Sequence, residues 1–180
     1  MKRKPILWLT TTALFIALLI GSQAAGAASL GQFIAGPLNN LIMIVAVMTM
    51  GPASGLTAAL LSPVFAKLLG IGPLWAIVPF IMAGNAVLVM VWHWMRKIPW
   101  KSKHAVRAVS LAAAAVCKFA VLYVGIVRVA VPFLLQLPAK QAETISGMFS
   151  LPQLLTAAAG GALAMAVLPL IEKVAQRNKI

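Results

Sequence analysis

The chain divides into six apolar stretches, each about as long as a membrane is thick, and that division leaves few ways for it to fold. They run approximately Ile6–Gln23, Phe33–Met50, Ala53–Leu69, Leu74–Met95, Ala105–Leu135 and Phe149–Ile171. A helical span needs about 20 apolar residues. Inside a bilayer every backbone polar group must find its partner within the segment, so each stretch reads as a helix. Gly51-Pro52 and Gly70-Ile71-Gly72-Pro73 punctuate the second, third and fourth stretches, as Gly/Pro pairs do. The third stretch is short and the fifth is long, which predicts tilt or a broken helix end near Pro132. The expected fold is an all-α membrane protein, a bundle of six transmembrane helices forming a single domain over residues 1–180.

Composition enters as a check on that division. Only 9% of the residues are charged and 62% are hydrophobic, against about 25% charged in an average soluble domain. A soluble core cannot absorb so much apolar surface. The formal net charge of +13 could point to nucleic acid, but its distribution does not. The basic residues form blocks at Lys2–Lys4, at Arg96, Lys97, Lys101, Lys103 and Arg107, and at Lys173, Arg177 and Lys179. With Lys2–Lys4 in the cytoplasm, six crossings place all three blocks on the same side, as the positive-inside rule requires. Both termini are therefore expected to be cytoplasmic, in the plasma membrane, and no nucleic-acid partner is expected. A rival reading takes Lys2–Lys4, the apolar run and Ala25-Gly26-Ala27 as a cleavable signal peptide. It would leave five spans.

Two lysines then stand out because they lie at bilayer depth. Lys67 and Lys118 are each about 20 Å from the cytoplasmic end of their stretches at 1.5 Å per residue, in the outer half of a core about 30 Å thick. A charge there costs roughly 2.5–3.5 kcal/mol on insertion scales and marks a cavity, a partner or a substrate. Lys67 could alternatively snorkel to the interface, as Arg128 is expected to. Other polar side chains share the outward bias. Asn39 and Asn40 open the second stretch, Gln153 opens the sixth, Gln32 lies in the loop Ala24–Gly36, and Asn85 is near the middle of the fourth. The inner halves are aliphatic or small. This pattern predicts a polar pocket open to the outside over a closed apolar floor, rather than a channel lined throughout.

Lysines supply charge and amides supply directional hydrogen bonds, so these residues suit an anionic, carboxylate-bearing small molecule. Asn40 and Asn85 could instead be interhelical hydrogen-bond partners. The chain has only two acidic residues, Glu143 and Glu172, both outside the apolar stretches, so an intramembrane proton relay has little to work with. HExxH, GxSxG and GxxxxGK[ST] are missing. The chain reads as non-catalytic, with no metal and no cofactor, and any active transport needs another subunit for energy. Cys117 reads as a small packing residue. Ala13 and Ala17 form an Ala-x-x-x-Ala face that lets another helix approach closely, and Ala157–Ala162 forms a second small-residue surface suited to internal contacts.

The run Thr12-Ala13-Leu14-Phe15-Ile16-Ala17, and the segment from Gly36-Pro37-Leu38-Asn39-Asn40 through Pro79-Phe80-Ile81-Met82-Ala83-Gly84-Asn85, complete a pattern. Together with six hydrophobic helices and a basic inner loop after the fourth, the chain resembles the substrate-binding S components of energy-coupling factor (ECF) transporters. That resemblance implies a subunit that captures a vitamin-like micronutrient from outside. It implies docking on a transmembrane scaffold subunit T coupled to two cytoplasmic ATPases, with the S component toppling in the bilayer to release its ligand. It maps the scaffold contact onto Ala13 and Ala17. It places the ligand near the outside, under the loops at about Ala24–Gly36 and Gly70–Pro73. Lys67 and Asn39 rest on the depth argument alone. The other classes compatible with the sequence are a stand-alone small transporter or exporter, and a structural membrane protein without a ligand.

Overall fold

The computed structural model describes residues 5–27, 31–72, 74–99 and 102–177, and no strand occurs among them. The basic residues Lys2–Lys4, Lys101 and Lys179, on which part of the topology expectation rests, lie outside the described residues. The helices are α1 (Pro5–Ala25), α2 (Gln32–Met50), α3 (Pro52–Leu68), α4 (Val78–Met95, entered through a short 3-10 turn at Trp75–Ile77), α5 (Lys103–Leu122), α6 (Ala139–Met148) and α7 (Leu151–Arg177).

Five stretches are long and apolar enough to cross a membrane: Pro5–Ala25, Gln32–Met50, Trp75–Met95, His104–Leu135 and Ala139–Val174. The third expected span is the exception. α3 has 17 residues and is about 25 Å long at 1.5 Å per residue, at the lower limit for a span. It nevertheless packs along α1, α2 and α4. Several boundaries differ from the sequence reading. α1 runs on to Ala25 and α2 starts at Gln32, so most of the expected loop Ala24–Gly36 is helical. The segment expected as an outer loop before the sixth span contains α6, whose residues are all at least partly exposed.

Local chemistry explains most of these turns. Gly51 joins α2 to α3 with φ +93°, a conformation that only glycine adopts without strain. Pro52 follows at the first helical position, where its missing N–H is no loss. α5 is capped by Ser102, whose hydroxyl accepts from the Ala105 N–H at 3.4 Å. Beyond Leu122 the long fifth segment does not break at Pro132. It widens into a π-helix over Tyr123–Leu135, which carries Pro132 inside it and stops at Gln136, with φ +42°.

α2 lies at the centre, packed against α1, α3, α4 and α7, and α5 joins α4 to α7. The inner half of the bundle is a dry core of Met43, Ile44, Val47, Leu88, Val89, Trp92, Ala114, Ala115, Ala164 and Leu168. Small residues bring the backbones together. A methyl group at Gly160 of α7 would come within 2.5 Å of Asn40 Cβ and 2.7 Å of the Pro37 carbonyl. The Ala157–Ala162 run thus makes the internal contacts expected of it. Thr12 and Ser54 share a buried hydrogen bond of 2.8 Å between α1 and α3. Beside the connection from α4 to α5, next to Arg96, Ile98 and Pro99, Arg107 of α5 donates to Glu172 of α7 at 2.7 Å. Cys117 corrects its expected role as a packing residue: it is exposed on the outer face of α5.

Candidate functional site

Above the dry core, between α1, α2, α3, α4, α5 and the α6–α7 turn, lies a cavity of about 550 Å³. That is the size range of sites that take small organic molecules. All seven residues expected from the sequence to form a pocket, Lys118, Lys67, Asn40, Asn39, Asn85, Gln153 and Gln32, line it. They come from five different helices.

The floor is built by placing one polar residue in the inward register of three apolar helix faces. Asn40 stands three, four and seven residues before Met43, Ile44 and Val47 on the buried face of α2. Asn85 holds the same relation to Leu88, Val89 and Trp92 on α4. Lys118 lies one turn from both Ala114 and Leu122 on α5, which are 1% exposed. The three side chains meet. Lys118 Nζ donates to Asn40 Oδ1 at 2.6 Å and to Asn85 Oδ1 at 2.9 Å. All three are buried: Lys118 is 5% exposed, Asn40 1% and Asn85 8%.

This arrangement changes the roles expected of the two asparagines. Their carboxamide oxygens turn to the ammonium and hold it in place, as the interhelical alternative anticipated. An ammonium has three donors; two are engaged, leaving one for the cavity. No carboxylate compensates the charge. Of the two acidic residues, Glu172 is paired with Arg107 and Glu143 is exposed on α6. Amide oxygens carry only partial charge, so the floor keeps a net positive potential in a low-dielectric setting.

Lys67 sits higher, in the last turn of α3, half-buried, and its ammonium makes no hydrogen bond or ion pair among the described residues. Asn39 lines the wall with a buried Oδ1 that no protein donor reaches among the described residues. The two glutamines are engaged at the rim. Gln32 Nε2 donates to the Met148 carbonyl at 2.7 Å, and Gln153 Nε2 donates to the same oxygen at 3.3 Å. They tie the end of α6 to α2 and α7 across the cavity. The walls between floor and rim are largely apolar, from Leu19, Met43, Ile81, Leu122 and Phe149.

Some lining residues escaped the sequence reading. Ser62 lies on the buried face of α3 one turn from Ala58, Ala59 and Ala66, a register that identifies it in retrospect. Gln23 donates to the Leu19 carbonyl at 3.2 Å within α1. Ile145 and Met148 come from α6, which was read as loop. Ala13 and Ala17 are outside the cavity, exposed on α1 beside Leu14 and Leu18. Arg128 is exposed, its guanidinium 5.4 Å from the centre of the Tyr123 ring. No group of three His, Cys, Asp or Glu side chains gathers as a metal site among the described residues. No family model, curated protein or solved structure matches the chain, so its functional reading rests on this geometry.

Proposed function

We propose that this chain is the substrate-capturing membrane subunit of an ECF-type importer, and that its cavity takes up a small anionic, vitamin-like micronutrient from outside the cell. The observation that carries the reading is the buried ammonium of Lys118, held by two amides at the bottom of a cavity with one donor to spare and no carboxylate beside it. A buried cation without a counter-ion is costly unless something negative joins it. A bound anion supplies that partner, and Lys67 higher in the cavity adds attraction. The dry core beneath the floor favours capture over conduction, since a pore needs polar lining across the whole membrane.

In this reading the chain crosses the plasma membrane six times with both termini cytoplasmic, and α3 is the short third span. The exposed face of α1 with Ala13 and Ala17 meets the scaffold subunit T, which couples it to two cytoplasmic ATPases. The chain supplies selectivity and performs no chemistry. Mass spectrometry of small molecules released from gently purified protein tests the capture, with copurification of a scaffold and two ATPases as the second readout. An acidic small molecule released from wild type and absent from Lys118→Gln supports the reading. Wild type that releases no small molecule, together with unimpaired nutrient uptake in cells lacking the protein, argues for a structural membrane protein instead.

A further inference from the structure

Two unsatisfied groups of opposite kind face this cavity, and together they describe the ligand more narrowly than its charge does. Lys118 has one N–H beyond those given to Asn40 and Asn85, and it requires an acceptor, best an anionic one. Asn39 Oδ1 is buried with no protein donor among the described residues, and an acceptor in that state requires an N–H or O–H. In the structure neither need is met by the other's neighbours. The oxygens of Asn40 and Asn85 already accept from Lys118, and the Nε2 groups of Gln32 and Gln153 both donate to the Met148 carbonyl. The groups share one cavity whose remaining wall is mainly apolar.

Resting on the capture reading above, we infer that the ligand is an acid that also carries a hydrogen-bond donor: its anionic group accepts from Lys118 at the floor, and an N–H or O–H on its body donates to Asn39 Oδ1. The apolar remainder lies against Leu19, Met43, Ile81 and Leu122. The ligand enters acid first. Simple fatty or aryl acids, which lack a donor, and neutral amides, which lack the charge, each satisfy half of the site.

Three matched probes separate these requirements: hippurate, which has a carboxylate and an amide N–H; its primary amide, which has lost the charge; and the keto acid in which a methylene replaces the N–H. Binding of each to the purified protein is measured by thermal shift across a concentration series. Hippurate is expected to bind about tenfold or more tightly than its primary amide, as expected for a hydrogen bond to a charged group, and about fivefold more tightly than the keto acid. In Lys118→Gln the preference over the primary amide disappears. In Asn39→Leu the preference over the keto acid disappears while the preference over the primary amide remains. Equal binding of the three probes to wild type, or binding of none, overturns the inference without depending on any variant. A donor-free acid released from the native protein overturns it too, yet leaves the capture function standing. Failure of the capture function shows separately, as the release of nothing.

Discussion

Stripping the acceptors from Lys118 provides the sharpest energetic test of the site. In the variant Asn40→Leu/Asn85→Leu the ammonium keeps its place, 5% exposed, but loses both oxygens at 2.6 and 2.9 Å. A hydrogen bond to a charged group is worth about 1.5–3 kcal/mol, so losing two costs roughly 3–6 kcal/mol. In a protein of this length each kcal/mol moves Tm by about 2–4 °C. The double variant is therefore expected to melt roughly 6–24 °C below wild type. Adding Lys118→Met retains the stem and deletes the charge. Replacing every partner of a buried hydrogen-bonded group by apolar side chains of similar shape can be nearly neutral or stabilising, so the triple variant should recover most or all of the loss. The assay is thermal unfolding in detergent, followed through the fluorescence of the five tryptophans. A triple variant no more stable than the double refutes the reasoning. So does a double variant within about 0.5 kcal/mol of wild type, the range of ordinary surface substitutions.

Three further outcomes are expected. Ala13→Phe or Ala17→Phe, on the exposed face of α1, should leave thermal stability within about 0.5 kcal/mol of wild type and small-molecule release intact, while abolishing uptake in cells; normal uptake removes this face from the scaffold contact. Gly160→Val places methyl groups against Asn40 and the Pro37 carbonyl and should destabilise the protein by about 1–3 kcal/mol through overpacking, read as a lower Tm; an unchanged Tm means α2 and α7 are not so closely packed. Gln32→Ala removes the 2.7 Å bond to the Met148 carbonyl, worth about 0.5–1.5 kcal/mol. Amide hydrogen exchange in Ala139–Met148 should then quicken roughly two- to tenfold, and unaltered exchange would show that Gln32 does not restrain α6.

The long apolar helices and the lysines at depth were legible in the sequence because both signals are one-dimensional: length of apolar run and position of charge within it. The seven polar residues were likewise recognisable as a group, since all but Gln32, which falls in the loop Ala24–Gly36, interrupt apolar stretches. Orientation within the group was not. Nothing in the order of residues says that the oxygens of Asn40 and Asn85 face Lys118 rather than a ligand; that depends on α2, α4 and α5 meeting at one level, a tertiary fact. Cys117 was misplaced for a related reason. On α5 the face turned inward is the polar one, with Arg107, Ser110 and Lys118 buried, so an apolar residue beside Lys118 in sequence is not thereby placed in the core. α6 was overlooked because its sequence, Ala-Lys-Gln-Ala-Glu-Thr-Ile-Ser-Gly-Met, buries nothing fully. The π-helical turn at Tyr123–Leu135 had no local marker beyond Pro132.

The brevity of α3 has a consequence for kinetics. Its 17 residues make about 25 Å of helix, several ångströms short of the hydrocarbon thickness; as the third span of the proposed topology it would thin the bilayer around it. Lys67 stands in its last turn and lines the cavity above Lys118. The result is a funnel with low-dielectric walls and positive charge at two levels, which gathers field lines and concentrates anions before any contact forms. Under the proposed capture function, anion arrival at such a funnel quickens as ionic strength falls.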